Sequence, residues 1–178
     1  MALVKWEFDY AHSGIDFTVR HLLVSKVRGR FTKWSGKLEL DEENYAKSSC
    51  EVEIDVTSVD THEAQRDAHL RSGDFFEVEK FPKMTFKSKS VVEKSAQHLV
   101  ITGDLTLRGV TKPVVLEVER PGVIAKDPWG KRRAGFTATT TINRKDFGVS
   151  FNQILDSGGL ALSEEVAITL EIEATAAA

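Results

Sequence analysis

Two residues of this chain combine reactive side chains with positions on predicted buried strand faces. His21 ends a stretch of alternating apolar and polar residues that begins at Ile15. A period of two is typical of a strand with one buried face, and His21 falls on the apolar parity. Arg144 falls on the apolar parity at the end of a second alternating stretch, which begins at Phe136. Either side chain could hydrogen-bond the head group of a ligand, and a guanidinium matches the geometry of a phosphate.

Both residues also have a purely structural interpretation. His21 could be a core histidine whose hydrogen bonds are satisfied, and Arg144 could form a salt bridge with Asp104 or Asp146. A further hypothesis makes the chain an enzyme in which His21 acts with Asp16 or Asp146. Asp16 lies on the opposite parity from His21, so these two side chains cannot meet inside a barrel without a bulge.

Other catalytic and metal-binding patterns are missing from the sequence. The segment H-E-A-Q-R differs from the zinc signature H-E-x-x-H because Arg66 stands where the second histidine is needed. We expect His62, Arg66 and His69 to form a solvated helix face. The single Cys50 excludes an internal disulfide and a thiolate metal cage. No nucleophile elbow or glycine-rich phosphate loop occurs. The sequence therefore predicts no enzyme, no catalytic residue, no metal and no cofactor.

Composition indicates one soluble domain over residues 1–178. Hydrophobic residues make up 41% of the chain and charged residues 29%, as in an ordinary globular protein. The net charge is -3 and the two signs are interspersed, which argues against a nucleic-acid partner. No signal-peptide core and no apolar run of about 20 residues occurs, so we expect a cytoplasmic protein without a membrane span. The sequence leaves open whether the chain forms a homodimer.

The period of two recurs along nearly the whole chain. It predicts eight to ten strands at hairpin spacing and hence an antiparallel β-barrel or sandwich. The segment from Ser58 to Phe81 breaks the pattern. Asp60 and Glu63 resemble a capping box that starts a helix, Ser72-Gly73 ends it, and Asp74 with Glu77 can cap a second short turn. The segment Trp34–Lys37 is predicted to be a turn.

The predicted inner face is rich in phenylalanine, with ten Phe in the chain against two Tyr. A barrel of about eight strands is either filled by side chains or holds one small ligand. Gly103 and Ala138 on the inner parity would leave room, and the adjacent Phe75 and Phe76 resemble a lid over an opening. The alternative is a packed barrel that acts through its surface as an interaction or stress protein. The predicted lining residues are Trp6, Phe17, Val19, Phe31, Phe75, Phe76, Phe86, Leu105, Leu107, Phe136 and Ile142.

Four segments of the chain, in this order, resemble the YceI-like polyisoprenoid-binding family. They are S-G-I-D-F-T-V-R-H-L-L-V-S-K-V-R-G-R-F, S-V-D-T-H-E-A-Q-R-D-A-H-L-R-S-G-D-F-F-E-V-E-K-F-P, G-D-L-T-L-R-G-V-T-K-P-V and I-N-R-K-D-F-G-V. The resemblance implies an extended lipocalin-like antiparallel β-barrel with a hydrophobic tunnel and a short helical insertion. It also implies a carrier, storage or stress-related protein that binds a long isoprenoid or similar amphiphile, such as a polyprenyl phosphate or a quinone tail. Many relatives of that family are periplasmic.

Overall fold

The chain folds into one curved β-sheet with a single α-helix among the described residues. The computed structural model describes residues 3–22, 24–152 and 161–177. Within these ranges no helix is both long enough and apolar enough to cross a bilayer. The helix is α1 (Ala64–Arg71), and the strands are β1 (Val4–Phe8), β2 (Gly14–His21), β3 (Ser25–Phe31), β4 (Trp34–Leu40), β5 (Ser49–Asp55), β6 (Val59–Asp60), β7 (Lys83–Ser95), β8 (His98–Leu107), β9 (Val110–Glu119), β10 (Gly122–Ile124), β11 (Arg133–Asn143) and β12 (Glu165–Ala176).

The strands occupy eight positions around a closed antiparallel barrel. Two consecutive segments share each of the first three positions, namely β1 with β2, β3 with β4, and β5 with β6. Strands β7, β8, β9, β11 and β12 fill the other five, and β10 pairs with the same edge of β11 as β9 does, so it extends the position of β9. Strand β12 pairs with β11 on one side and with both β1 and β2 on the other, which closes the sheet. The predicted barrel of about eight strands is therefore confirmed.

The pleat of each strand divides its residues between the interior and the solvent. In β9, Val114, Leu116 and Val118 are buried, while the residues between them are exposed. This is the burial expected for an antiparallel strand with one apolar face. The alternation seen in the sequence therefore gives the orientation of the side chains correctly on this strand.

The prediction of a turn at Trp34–Lys37 was wrong, because these residues begin β4. Gly36 explains the difference. A Cβ atom at this position would lie 2.4 Å from the carbonyl oxygen of Glu51 on the neighbouring strand. The glycine therefore permits a close approach of two strands and does not break one.

The predicted helix forms, but its first turn is capped differently from the expectation. The carboxylate of Glu63 accepts hydrogen bonds from the backbone N–H groups of Gln65 and Arg66, so Glu63 itself is the capping residue. The carboxylate of Asp60 instead accepts from the N–H of His62. After α1 the chain continues through turns to β7.

Arg133, the first residue of β11, connects three segments of the barrel wall. Its guanidinium lies 2.7 Å from a carboxylate oxygen of Asp9, 3.0 Å from Asp127 and 3.0 Å from Glu173. Asp9 follows β1, Asp127 precedes β11 and Glu173 belongs to β12. The hydrogen bond from Arg133 lowers the pKa of Asp9 to about 2, although desolvation opposes this shift.

The variant Asp9→Asn should lower the free energy of unfolding near neutral pH and lose its effect in acid. The folded-state pKa of Asp9 lies below its ordinary value of 3.8, so its stabilisation is complete above about pH 4 and is lost as the pH falls towards 2. We expect a loss of about 1 kcal/mol at pH 7, after allowance for screening by solvent. Urea unfolding at several pH values measures it.

A suitable control is Glu53→Gln. The carboxylate of Glu53 lies 3.4 Å from Lys83 Nζ, and both side chains are about half exposed. Pairs of this kind contribute about 0–1 kcal/mol, so this variant should change stability little. An identical acid dependence in Asp9→Asn and in the unaltered protein would contradict the assignment to Asp9.

Candidate functional site

The interior of the barrel contains an apolar cavity of about 490 Å³. It extends from Tyr45 and Pro121 at one end of the barrel to His21 and Arg144 at the other. Alternate residues of the barrel strands supply its wall, because their side chains point inward. The predicted lining residues that belong to this wall are Phe17, Val19, Phe31, Phe75, Phe76, Phe86, Leu105, Leu107, Phe136 and Ile142.

Trp6 was predicted to line the ligand site, but it is not among the residues that line the cavity. Its buried side chain belongs to a smaller apolar cluster, which also contains Leu38, Leu40, Ala134 and Ala174. The two alanines lie opposite each other on β11 and β12 and leave the volume that an indole ring needs. Trp6 faces the same side of the sheet as its partner Leu38 but is packed in this cluster and does not line the cavity.

Two glycines determine how the phenylalanine rings sit in the cavity. Gly29 pairs with Phe17 across β2 and β3, and a Cβ atom at Gly29 would lie 2.4 Å from Cζ of the Phe17 ring. Gly103 pairs with Ser88 and lies diagonally from Phe86 across β7 and β8, and a Cβ atom at Gly103 would lie 2.4 Å from Cζ of the Phe86 ring. Each ring therefore lies against the backbone of the neighbouring strand. This arrangement leaves the centre of the barrel open although its wall is rich in phenylalanine.

Phe75 and Phe76 reach the cavity from the turn that follows α1. The ring of Phe75 lies 5.0 Å from that of His69 and 5.3 Å from that of Phe151, in edge-on contacts. Phe76 contacts Phe31 in β3, with a distance of 5.9 Å between the ring centroids. Phe75 and Phe76 thus make their aromatic contacts at the wall of the cavity.

Arg144 follows β11 directly and is only 5% exposed. Its Nε donates a hydrogen bond to the carbonyl of Ser163 at 2.9 Å. Its Nη1 donates to the carbonyls of Val149 at 2.7 Å and Phe151 at 2.9 Å. Burial lowers the pKa of the guanidinium, while the nearby carboxylate of Glu164 opposes this shift. Within the described part of the chain, the buried Nη2 has no hydrogen-bond partner.

The alternative predictions of a salt bridge from Arg144 to Asp104 or Asp146 were wrong. The carboxylate of Asp104 lies 3.0 Å from Lys89 Nζ, and Asp146 is exposed. Backbone carbonyls take the place of the expected carboxylate, because the chain after β11 folds back over the guanidinium.

His21 is half buried and lines the cavity at the same end as Arg144. Its backbone forms a bridge to Leu162, next to the Ser163 carbonyl that Arg144 binds. The side chain thus occupies the expected position at the end of β2, close to the cavity and beside a segment that Arg144 anchors.

Arg66 and His69 on α1 also line this end of the cavity. Arg66 Nε donates to the hydroxyl of Thr61 at 2.7 Å, and His69 Nε2 lies 2.8 Å from the carboxylate of Asp74. His62, Arg66 and His69 are all exposed as predicted, although His62 precedes α1, and Arg66 and His69 also line the cavity. Their spacing of three residues places them on one side of the helix, which is the only signal the sequence offers.

Asp9, His12 and Glu173 place three potential metal-ligand atoms within 4.8 Å of one another. The guanidinium of Arg133 already contacts both carboxylates, at 2.7 Å and 3.0 Å. A cation thus already balances the carboxylates at this position. We therefore assign the group to the barrel wall.

The fold and the cavity together define a closed antiparallel β-barrel with an apolar interior and a cationic end. Residues 6–174 match the YceI-like domain, and the chain belongs to this family. A UPF0312 protein of Vibrio parahaemolyticus is 48% identical over 139 residues, which are 78% of this chain and 73% of that relative.

Two solved structures resemble this barrel. The YCEI protein of Campylobacter jejuni is 34% identical, with a TM-score of 0.75 and coverage of 88% of each chain. A polyisoprenoid binding domain from Saccharophagus degradans, implicated in plant cell wall breakdown, has a TM-score of 0.67 at 16% identity. That match covers 99% of this chain and 100% of the other, and at this identity it shows the shared fold.

The variant Gly29→Ala should narrow the cavity. The new Cβ would push the Phe17 ring away from the backbone of β3 and into the cavity that the ring lines. Overpacking costs about 1–3 kcal/mol, so affinity for a neutral apolar fluorescent probe should fall by about fivefold or more. The melting temperature should change little, because the displaced ring has free volume to enter. Probe titration and thermal unfolding measure the two quantities.

The matched control is Gly122→Ala, because a Cβ atom at Gly122 would meet nothing within 4 Å. This variant should leave the affinity for the probe unchanged. A large drop in melting temperature for Gly29→Ala, with unaltered affinity, would instead mean that Phe17 belongs to a packed core.

Proposed function

We propose that this protein binds a long isoprenoid or a similar amphiphile, with the tail in the barrel cavity and the head group at the cationic end. Its role would be that of a carrier, storage or stress-related protein. The observation that carries the proposal is the apolar cavity of about 490 Å³ inside the barrel. The polyisoprenoid-binding description of the structurally similar Saccharophagus degradans domain supports this ligand class.

The wall of the cavity suits an apolar tail. Aliphatic and aromatic side chains supply most of it, and each methylene group that such a wall removes from water contributes about 0.8 kcal/mol. The prenyl chain of a polyprenyl phosphate or of a quinone has this character. We propose that the tail contacts Phe17, Val19, Phe31, Phe75, Phe76, Phe86, Leu105, Leu107, Phe136 and Ile142.

The cationic end suits an anionic head group, which favours a polyprenyl phosphate. The buried Nη2 of Arg144 has no partner within the described residues, and an unsatisfied buried donor is costly. A phosphate oxygen would satisfy it and offset the desolvation of the guanidinium. His21, Arg66 and His69 lie at the same end, whereas Asp16 is the single carboxylate in the cavity wall that the structure describes.

The arrangement favours a binding protein over an enzyme. The catalytic hypothesis paired His21 with Asp16 or Asp146, but the Asp16 carboxylate lies 3.4 Å from Arg30 Nε and Asp146 is exposed. The other alternative, a packed barrel that acts only through its surface, is disfavoured by the volume of the cavity.

The test of the proposal is organic extraction of the purified protein followed by mass spectrometry. We expect a prenyl lipid in a molar amount close to that of the protein. An extract without lipid, together with failure to bind added polyprenyl phosphate, prenol or quinone, would refute the proposal and favour the packed barrel.

The variant Arg144→Gln tests the head group. Loss of a hydrogen bond to a charged group costs about 1.5–3 kcal/mol, so affinity for a prenyl phosphate should fall by that amount. Affinity for the matched prenol should barely change. Isothermal titration with the two ligands, which differ only in the phosphate, measures both values.

Arg144 also binds three backbone carbonyls, so its substitution can affect both ligands through the fold. Equal losses for phosphate and alcohol would assign Arg144 to the fold and would remove the anionic head group from the proposal. Lys145→Gln removes a neighbouring, exposed cation, whose Nζ lies 2.9 Å from Glu164, and should affect neither ligand.

A further inference from the structure

The turn between β2 and β3 exposes aliphatic side chains. Leu22 is 45% exposed and Val24 is 86% exposed. Leu22 has a φ of 54°, a backbone conformation that is uncommon for residues other than glycine. Both residues lie at the end of a hairpin, where a polar residue would be the usual choice. An apolar turn of this kind has no evident role in the packing of the barrel itself.

The same hairpin is strongly cationic in a protein of net charge -3. Strands β2 and β3 carry Arg20, Lys26, Arg28 and Arg30 against the one carboxylate of Asp16, a balance of four minus one, or +3. Arg30 lies 3.4 Å from Asp16, whereas Arg20, Lys26 and Arg28 form no ion pair within the described ranges. Arg20 stands directly opposite Lys26 in the register, and like charges in this position destabilise a hairpin.

This hairpin end adjoins the cationic end of the cavity. The N–H of Leu22 donates to the carbonyl of Ala161 at 2.7 Å. Two residues further along the chain, the carbonyl of Ser163 accepts from Arg144. A surface that touched the hairpin would therefore lie beside the end of the barrel where Arg144 and His21 line the cavity.

We propose that this hairpin docks the protein onto an anionic lipid bilayer. Leu22 and Val24 would enter the interfacial region, while Arg20, Lys26 and Arg28 would contact lipid phosphates. Exposed aliphatic side chains flanked by cations are the combination that anionic membrane surfaces bind. A bilayer fits better than a protein partner, because it supplies apolar and anionic groups together and needs only a small tip for contact. The docking goes beyond ligand binding and does not depend on it.

The experiment is co-sedimentation of the protein with vesicles that contain no isoprenoid. One set is made of phosphatidylcholine with phosphatidylglycerol and the other of phosphatidylcholine alone. We expect binding to the anionic vesicles, weaker binding to the neutral ones, and a loss of binding as salt is added. In the double variant Val24→Ser with Lys26→Gln, partitioning should fall by about fivefold or more, the factor expected from one cation at an anionic surface.

The chain offers a matched control at the opposite end of the barrel. Val92 and Lys94 in β7 have the same residue types and spacing, and Val92 is 46% exposed. Val92 and Lys94 lie near the β7–β8 hairpin, at the start of β8. The other end of β8 leads into the β8–β9 hairpin, where Arg108 reaches Gly148 near Arg144. The double variant Val92→Ser with Lys94→Gln should partition as the unaltered protein does.

Circular dichroism melting of both double variants should match that of the unaltered protein, since all four positions are on the surface. Equal losses in the two variants, or no binding to anionic vesicles at low salt, would refute the docking proposal. Binding of a soluble prenyl phosphate analogue should be the same in both variants. A protein that binds the analogue but not the vesicles would therefore refute the docking alone.

Discussion

Closure of the sheet through β12 is the constraint on which the rest of the structure depends. This strand pairs with β11 along its length, with β2 through its first half and with β1 near its end. A sheet closed in this way has no exposed edge around the ring. It also fixes the number of positions at eight, and with it the approximate radius of the interior. An enclosed interior follows from this closure, and the side chains that point inward then decide its content.

The radius alone does not decide whether the interior is open or filled. Phenylalanine side chains are large enough to fill a barrel of this size, and several of them point inward. Gly29 and Gly103 allow the rings of Phe17 and Phe86 to lie against the neighbouring strands. Two of the smallest residues in the chain thus keep open a cavity whose wall is built from some of the largest.

Arg133 begins β11 and Arg144 directly follows it, and the environments of these two arginines suit different roles. Arg133 is surrounded by three carboxylates, which balance its charge within the barrel wall. Arg144 is held by three backbone carbonyls, which position the guanidinium without neutralising it. Burial then lowers the pKa of Arg144, whereas hydrogen bonds to carboxylates raise that of Arg133. A cation that is fixed in place but not neutralised is suited to receive an anionic group.

The sequence by itself determined the class of fold. The alternation of apolar and polar residues reflects the pleat of a single strand and needs no contact between distant residues. The inward positions of Phe17, Leu105 and Arg144 were predictable for that reason. The sequence could not show that Trp6, whose parity is correct, packs away from the cavity, because Ala134 and Ala174 of its cluster belong to strands distant in the chain.

Tertiary structure alone decided the partners of Arg144 and the positions of Arg66 and His69 in the cavity wall. It also decided that Phe17 lies over Gly29, since the register of β2 and β3 brings them together. These features depend on atoms that meet only after the sheet has closed. Alternation within a strand carries information about the face of each residue, but not about the residues it meets across the barrel.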